Sequence, residues 1–171
     1  MRPSAGPHPR GRPTTREVIL RFWIFVAAIN GMIAVLMGAI GSHVLSGQLD
    51  AERMTFVQLG FNYQLWHALG LLGVGLLTPH VRPGKGARLV LASGVAFTFG
   101  IIFFSGGLYM LALMGPGITH WVVPLGGSLL ITGWIGLSVS AFFIDGGRRR
   151  FRRMRRGESR DAEREQDHGR S

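Results

Sequence analysis

The sequence predicts an all-α membrane protein, a bundle of four transmembrane helices with both termini on the cytoplasmic side. Three observations predict this fold. The 28 charged residues of the 171-residue chain are confined to short segments, long charge-free runs separate them, and 18 of the 19 basic residues fall on one side of a four-span topology. An ordinary soluble domain spreads its charges over its whole surface, so this pattern excludes a soluble globular domain.

The charge-free runs set the number of spans. They cover residues 22–49, 54–81 and 89–144, which are 28, 28 and 56 residues long. A transmembrane helix needs about 20 predominantly apolar residues, so each shorter run holds one span. The longest run would form a helix of roughly 84 Å, far more than a hydrocarbon core of about 30 Å, so it must fold back. The sequence Gly115-Pro116-Gly117 predicts the position of that turn.

The predicted membrane domain covers residues 19–144, with spans near 22–42, 57–77, 90–112 and 122–143. Residues 1–18 form a basic tail whose prolines oppose an amphipathic helix, and residues 145–171 form an Arg-rich tail; both are predicted to be largely disordered. The two tails and the middle loop carry the basic residues. By the positive-inside rule, both termini are therefore predicted to be cytoplasmic.

A dense run of arginines follows the fourth span directly. It is predicted to contact anionic lipid headgroups, which attract basic residues near the surface by about 1 kcal/mol each. Its members are Arg148, Arg149, Arg150, Arg152, Arg153, Arg155 and Arg156. No nucleic-acid-binding module accompanies them, so we expect no nucleic acid partner. The expected partners are membrane lipids, including anionic headgroups, with a second copy of the chain or another membrane protein as further candidates.

Small residues recur at four-residue spacing in the spans, a pattern that lets helices approach closely in lipid. We predict that these stripes are packing surfaces. They comprise Ala27 with Gly31, Ala34 with Gly38, Ala92 with Ala96 and Gly100, and Ser128 with Thr132, Gly136 and Ser140.

The second span is more polar than the others, with Gln58, Asn62, Tyr63, Gln64 and His67 in its outer half. Unsatisfied polar groups are costly in hydrocarbon, so these side chains are predicted to point into the bundle and find partners. At 100° per residue, Tyr63 and His67 share one face, while Gln58 and Asn62 lie roughly opposite. Because Asn30 of the first span lies at the depth of His67, we predict a contact between these two side chains.

Eight residues form a candidate functional polar core: Asn30, His43, Asn62, Tyr63, Gln64, His67, Ser105 and Tyr109. The favoured interpretation of His67 is a hydrogen-bonded structural residue. The alternatives are a proton or small-solute path through His67, a haem ligand, and a metal site formed by His43 with His120. No cofactor is expected, and the absence of cysteine excludes disulfides, Cys-ligated metals and cysteine nucleophiles.

Ser105 lies in the sequence Phe104-Ser105-Gly106-Gly107. A serine hydrolase is not expected, because a nucleophile elbow requires G-x-S-x-G at a strand-to-helix turn and the spans hold no acidic partner. The hydroxyl is instead expected to bond to its own helix.

The aromatic residues divide by their expected depth in the membrane. Trp23, Tyr109 and Trp121 suit the interfacial belts, and Trp66 and Trp134 lie near the centre, where they are predicted to pack internally.

Four stretches of the chain resemble the signature sequences of the YgdD/YwdK-like proteins, a family classed as domain of unknown function 423 and related to eukaryotic transmembrane protein 256. The stretches are 38–43 (GAIGSH), 63–67 (YQLWH), 104–109 (FSGGLY) and 124–127 (PLGG) followed by Gly133-Trp134. The resemblance covers about residues 19–143. Ser42 and Gly107 depart from the family pattern, where we expect Ala and Ser.

The resemblance implies a four-helix integral protein of the bacterial cytoplasmic membrane and no settled activity. It directs attention to the matching positions His43, Tyr63, His67, Ser105, Tyr109 and Pro124. We therefore predict a non-enzymatic structural or membrane-homeostasis bundle. The first alternative is a small-solute or proton-linked transporter or channel along the polar residues around His67, and the second is a protein that binds a lipid, quinone or haem.

Overall fold

The computed structural model of the chain describes residues 13–115, 117 and 119–144, without the side chains of residues 119 and 120. This part of the chain folds into four α-helices: α1 (Thr15–Ile40), α2 (Ala51–Leu77), α3 (Lys85–Met114) and α4 (Thr119–Ser140). A π-helical turn, Gly41–Leu45, continues α1, and a 3₁₀ turn, Ala141–Phe143, ends α4. The prediction of an all-α fold is confirmed.

Side-chain caps explain where α1 and α2 begin. Thr14 and Glu17 form a capping box, in which the Glu17 amide donates to Thr14 Oγ1 at 3.4 Å and the Thr14 amide donates to Glu17 Oε2 at 3.1 Å. This box lets α1 begin ahead of residue 19, the boundary that the sequence predicts for the membrane domain. Asp50 caps α2 by accepting a 2.9 Å hydrogen bond from the Arg53 amide.

Glycines with positive φ mark both ends of α3. Gly84, with φ of 102°, precedes its first residue, and Gly115, with φ of 83°, follows its last. L-residues with a side chain rarely adopt this conformation, so glycine lets the chain turn sharply at both points. The predicted reversal at Gly115-Pro116-Gly117 thus begins at Gly115, and Pro116 lies outside the described residues.

The helices pack in chain order, α1 on α2, α2 on α3, and α3 on α4. The hydrophobic core lies where α2 and α3 meet the flanking helices, and its buried members are Trp23, Ala27, Leu71, Val74, Val81, Val90, Phe97, Ile101 and Leu130. The outer faces of α1 and α4 carry large exposed apolar side chains, among them Phe25 and Ile131. An apolar exterior of this kind is typical of a surface covered by lipid.

Many of the small residues between helices recur every seven positions, a spacing typical of coiled-coil-like packing. The series are Ala27 and Ala34 on α1 with Gly41 of the π-helical turn, Gly86, Ser93, Gly100 and Gly107 on α3, and Gly126, Gly133 and Ser140 on α4. A Cβ atom added at Gly107 would lie 2.8 Å from Val123 Cγ2, and one added at Gly133 would lie 2.5 Å from the Phe97 ring. Close contact between α3 and α4 therefore requires glycine at these positions.

The predicted four-residue stripes are right in part. Ala27 and Ala34 are buried, but a Cβ on Gly31 would have no neighbour within 4 Å. Ser128 and Thr132 are exposed and donate to carbonyls of their own helix, and Ala92 is exposed on the outer face of α3. The prediction was wrong at these positions because packing selects one face of each helix, and several small-residue stripes compete for it.

Three segments within the described part of the chain are long and apolar enough to cross a membrane: Thr15–Leu45, Lys85–Met114 and Trp121–Phe143. Helix α2 is long enough but is not among them. Polar side chains from Gln58 to His67 lower its mean hydropathy.

The ends of the helix bundle differ in charge. At one end, Arg16 Nη1 donates to the Pro79 carbonyl at 3.2 Å and the Arg82 amide donates to the Phe143 carbonyl at 3.1 Å. These bonds join the start of α1, the α2–α3 turn and the end of α4. We call this the basic end; its described basic residues are Arg16, Arg21, Arg82, Lys85 and Arg88, whereas Arg53 lies at the opposite end.

Candidate functional site

Helices α2 and α3 bring together five of the eight predicted core residues. Tyr63 and Gln64 are adjacent on α2 and His67 lies one turn later, opposite Ser105 and Tyr109 of α3. Tyr109 Oη donates to Gln64 Oε1 at 2.8 Å, and the Gln64 side chain is buried. A Cβ added at Gly60 would lie 2.7 Å from the Tyr109 ring, so glycine makes room for this tyrosine. We call these five residues the polar layer.

His67 has a partner for each ring nitrogen. Its Nδ1 lies 2.7 Å from the Tyr63 carbonyl oxygen, and Trp134 Nε1 of α4 donates to its Nε2 at 3.1 Å. A carbonyl oxygen can only accept, so Nδ1 carries the proton, and Nε2 accepts because an indole N–H can only donate. The two partners thus select the neutral imidazole protonated at Nδ1. Protonation of Nε2 would set two N–H groups against each other.

Aromatic rings surround this imidazole. Tyr63 stacks on it with ring centroids 5.8 Å apart, and Phe97 lies 5.5 Å away. Phe97 also meets Trp134 edge to face at 5.1 Å, and Tyr63 contacts Phe104 at 4.5 Å. His67 itself is 6% exposed. Its ring is therefore held in one orientation by packing as well as by hydrogen bonds.

The Ser105 hydroxyl is fully buried and has no hydrogen-bond partner among the residues that the structure describes. The expectation that it bonds to its own helix was wrong. Ser93 and Thr98 of the same helix do make such bonds, to the carbonyls of Leu89 and Gly94 at 2.9 Å each. A buried hydroxyl without a partner costs free energy, so Ser105 is an unusual member of the polar layer.

The other three predicted core residues lie apart from the polar layer. Asn30 Nδ2 donates to the Val26 carbonyl at 2.9 Å, so the predicted contact between Asn30 and His67 was wrong. Asn62 Oδ1 accepts from Gln58 Nε2 at 3.4 Å on the opposite side of α2, and His43 is exposed in the π-helical turn. Gln58 is exposed, so the prediction that it points into the bundle was wrong.

The tryptophans also depart in part from their predicted places. Trp134 is 47% exposed and reaches the interior only through its hydrogen bond to His67, and Trp66 is 64% exposed, so the internal packing predicted for both was wrong for Trp66 and right only in part for Trp134. Trp23, which the sequence places at the interface, is 3% exposed, and its Nε1 has no hydrogen-bond partner within the described part of the chain. Tyr109, also predicted to be interfacial, belongs to the polar layer. A hydropathy pattern gives the depth of a side chain and not its direction, which explains these differences.

The ligand-binding alternatives can be compared with the geometry of the described residues. Among them, no group of three His, Asp or Glu side chains could hold a metal ion. The side chain of His120 and the arginines 148–156 predicted to bind headgroups lie outside the described residues. Haem ligation by His67 would require one of its two hydrogen bonds to break.

Two structural contributors were absent from the predicted site. Phe97 packs against His67 and Trp134, and Trp23 carries the buried unpartnered indole near the basic end. A seven-residue spacing of Val90, Phe97 and Phe104 is the sequence signal that could have identified Phe97.

A family model described as "Protein of unknown function (DUF423)" matches residues 37–127. The chain belongs to the DUF423 family. The matched region includes the whole polar layer, and Trp134, the partner of His67, follows it. The resemblance inferred from the signature stretches is confirmed.

Curated DUF423 relatives are similar over nearly their whole length. The UPF0382 membrane protein of Haemophilus influenzae is 35% identical over 120 residues, which cover 70% of this chain and 93% of the relative. The UPF0382 membrane protein SSP2132 of Staphylococcus saprophyticus is 38% identical over 73% of this chain and 100% of its own. The UPF0382 inner membrane protein YgdD of Escherichia coli K12 is 36% identical over 71% of this chain and 89% of its own. No solved structure matches. Together with the apolar helices, these relatives show that this DUF423 chain is a membrane protein.

Proposed function

We propose that the protein is a non-enzymatic, four-span structural component of the bacterial inner membrane, with both termini in the cytoplasm. The observation that carries the structural role is the closure of the polar layer at His67. Both imidazole nitrogens are bonded within the bundle, and Gln64 is bonded to Tyr109. A proton carrier needs a nitrogen that can exchange its proton, whereas a structural histidine is expected to have its bonding capacity filled.

The packing of α2 supports its role as the fourth span. Its 27 residues reach roughly 40 Å, longer than a hydrocarbon core of about 30 Å. It packs between α1 and α3, both of which meet the criteria for spans, and it buries two polar side chains, Gln64 and His67. A helix so enclosed crosses the membrane with its neighbours even though its mean hydropathy is low.

The charge of the basic end supports a cytoplasmic placement of that end. The chain contains no cysteine, so single cysteines report topology without background. We expect Gln48→Cys, in the α1–α2 turn, to react with a membrane-impermeant maleimide on intact spheroplasts. Pro83→Cys, in the α2–α3 turn, should react only after lysis. Labelling of both variants on intact spheroplasts, or of Pro83→Cys alone, would contradict the proposed topology.

Ion flux tests the structural role directly. Proteoliposomes of the wild type and of His67→Ala should show the same proton leak across an imposed pH gradient as protein-free vesicles. A wild-type leak that disappears in a folded His67→Ala protein would overturn the structural role and establish a proton pathway.

The unpartnered Ser105 hydroxyl favours one second candidate, a small-solute or proton-linked carrier. Its path would follow Gln64, His67 and Ser105, since Asn30 and Asn62 lie away from the polar layer. Binding of a lipid, quinone or haem in the polar layer is the third candidate. A coloured or lipid-retaining purified protein whose adduct is lost in His67→Ala would favour it.

A further inference from the structure

We infer that the basic end holds a binding site for one anionic phospholipid, whose phosphate contacts Arg16 and Arg88 and whose acyl chain lies along the outer face of α3. The inference rests on the membrane placement proposed above. It concerns residues other than those of the polar layer and of the C-terminal arginine run.

Two apolar depressions meet at Arg88. A pocket of about 170 Å³ lies between the start of α1 and the start of α3 and is lined by Arg16, Ile19 and Trp23. A groove of about 460 Å³ runs along the outer face of α3 towards α4 and is lined by Val95 and Phe99, among others. Arg88 and Leu91 line both the pocket and the groove, so the Arg88 side chain lies where the two meet.

The groove is long enough to hold an acyl chain across one lipid leaflet. From Arg88 to Phe103, α3 rises about 22 Å, and the hydrocarbon of one leaflet is about 15 Å thick. An acyl chain in the groove would therefore reach the middle of the membrane when its headgroup lies at Arg88. Ala92 and Ala96, members of a predicted packing stripe, line the groove instead, and their small side chains leave room for the chain.

Charge favours an anionic headgroup. The Arg88 guanidinium has no acceptor among the described residues, and Arg16 uses one nitrogen on the Pro79 carbonyl. The described carboxylate at this end is Glu17, which is engaged in the capping box of α1. Guanidinium groups bind phosphate through paired hydrogen bonds, and a zwitterionic choline headgroup would add a positive charge beside them.

Trp23 provides an independent observation. Its side chain lines the pocket, and its buried Nε1 is a hydrogen-bond donor that meets no acceptor in residues 13–115, 117 and 119–144. A phospholipid carries ester carbonyl oxygens just below its phosphate, so it can supply an acceptor at this depth. A second copy of the chain, packed in the same orientation, would bring its own arginines to this end and be repelled.

Native mass spectrometry of the full chain in detergent tests the site. We titrate with palmitoyl-oleoyl phosphatidylglycerol and, separately, with the phosphatidylcholine of the same chains. The wild type should bind one phosphatidylglycerol preferentially. The double variant Arg16→Gln/Arg88→Gln should weaken that binding about thirtyfold, on the basis of roughly fivefold per arginine near the surface.

Matched variants distinguish binding at this site from non-specific attraction of lipid to a basic protein. Arg53→Gln at the opposite end should bind both lipids as the wild type does. Ala96→Phe fills the groove without changing charge, so it should weaken binding of both lipids at least about fivefold. Trp23→Phe removes the indole donor. It should weaken the binding of phosphatidylglycerol and of phosphatidylcholine equally, since both lipids carry the ester carbonyls.

Three results would overturn the inference. The first is wild-type binding of phosphatidylglycerol by the folded Arg16→Gln/Arg88→Gln protein, and the second is wild-type binding of both lipids by Ala96→Phe. The third is loss of phosphatidylglycerol binding in Arg152→Gln/Arg153→Gln and not in Arg16→Gln/Arg88→Gln, which would place the site in the C-terminal run. These outcomes are independent of proton flux and of cysteine labelling, so failure of the lipid site and failure of the proposed function are distinguishable.

Discussion

Two tryptophans direct an indole N–H into the bundle, and they differ in what that group meets. Trp134 donates to His67 in the polar layer, whereas Trp23, near the basic end, has no acceptor. Around His67 the bundle supplies both the polar partner and the aromatic packing. Around Trp23 it leaves a buried donor beside a pocket and two arginines. The comparison indicates that the hydrogen bonding of His67 is complete within one chain, whereas the buried donor of Trp23 leaves room for the ligand proposed at the basic end.

Loss of the His67 imidazole should lower the stability of the protein more than the other substitutions, because it removes the centre of the polar layer. His67→Ala leaves the Trp134 donor without an acceptor and opens a cavity among the surrounding rings, so we expect the free energy of unfolding to fall by about 3 kcal/mol. Denaturant titration in detergent micelles measures this. A double-mutant cycle with Trp134→Phe should show coupling of about 1 kcal/mol, while a cycle with Asn30→Ala should be additive. Additivity with Trp134→Phe would show that the bond contributes no stability.

A steric clash with Phe97, introduced from α4, should destabilise the packing around His67. A Cβ at Gly133 would lie 2.5 Å from the Phe97 ring, so Gly133→Ala should lower the free energy of unfolding by about 2 kcal/mol. Gly31→Ala is the matched control, because a Cβ there meets nothing within 4 Å and alanine favours a helix by about 0.5–1 kcal/mol. The thermal unfolding midpoint should fall for Gly133→Ala and rise for Gly31→Ala. Equal shifts would mean that the α3–α4 contact can widen without cost.

Ser105 tests how complete the polar layer is. Its hydroxyl is buried without a partner, so Ser105→Ala should leave stability unchanged or raise it by about 1 kcal/mol. Ser93→Ala, which removes a hydroxyl bonded to Leu89 in the same helix, is the control and should lower stability by about 0.5 kcal/mol. A loss greater than about 1 kcal/mol in Ser105→Ala would reveal a bound water or ligand at this hydroxyl.

The smallest change in stability is expected for a substitution of Trp23, near the basic end. In delipidated detergent solution, Trp23→Phe keeps most of the apolar volume and loses no hydrogen bond, so the free energy of unfolding should change by less than about 1 kcal/mol. Added phosphatidylglycerol should then stabilise the wild type more than the variant in the same thermal assay. A large loss without lipid would show that the indole nitrogen already has a partner inside the protein.

Much of the fold could be predicted because its signals are local. Gly115, the capping box of Thr14 with Glu17, and the polar character of α2 are all visible in short stretches of sequence. The polar layer was predicted in composition, since Tyr63, Gln64, His67, Ser105 and Tyr109 were all candidates. Its bonds were not predicted, because a side chain at a given depth can meet any of several neighbouring helices.

Sequence alone therefore specified the all-α class, the approximate limits of the helices, the asymmetric charge and the presence of a polar second helix. Tertiary structure decided that His67 pairs with Trp134 and not Asn30, that seven-residue glycine series form the α3–α4 contact, and that Ala92 and Ala96 line an open groove. The physical reason is rotation. Each helix carries several faces that could pack, and the rotation of each helix about its axis is set by simultaneous packing against all its neighbours.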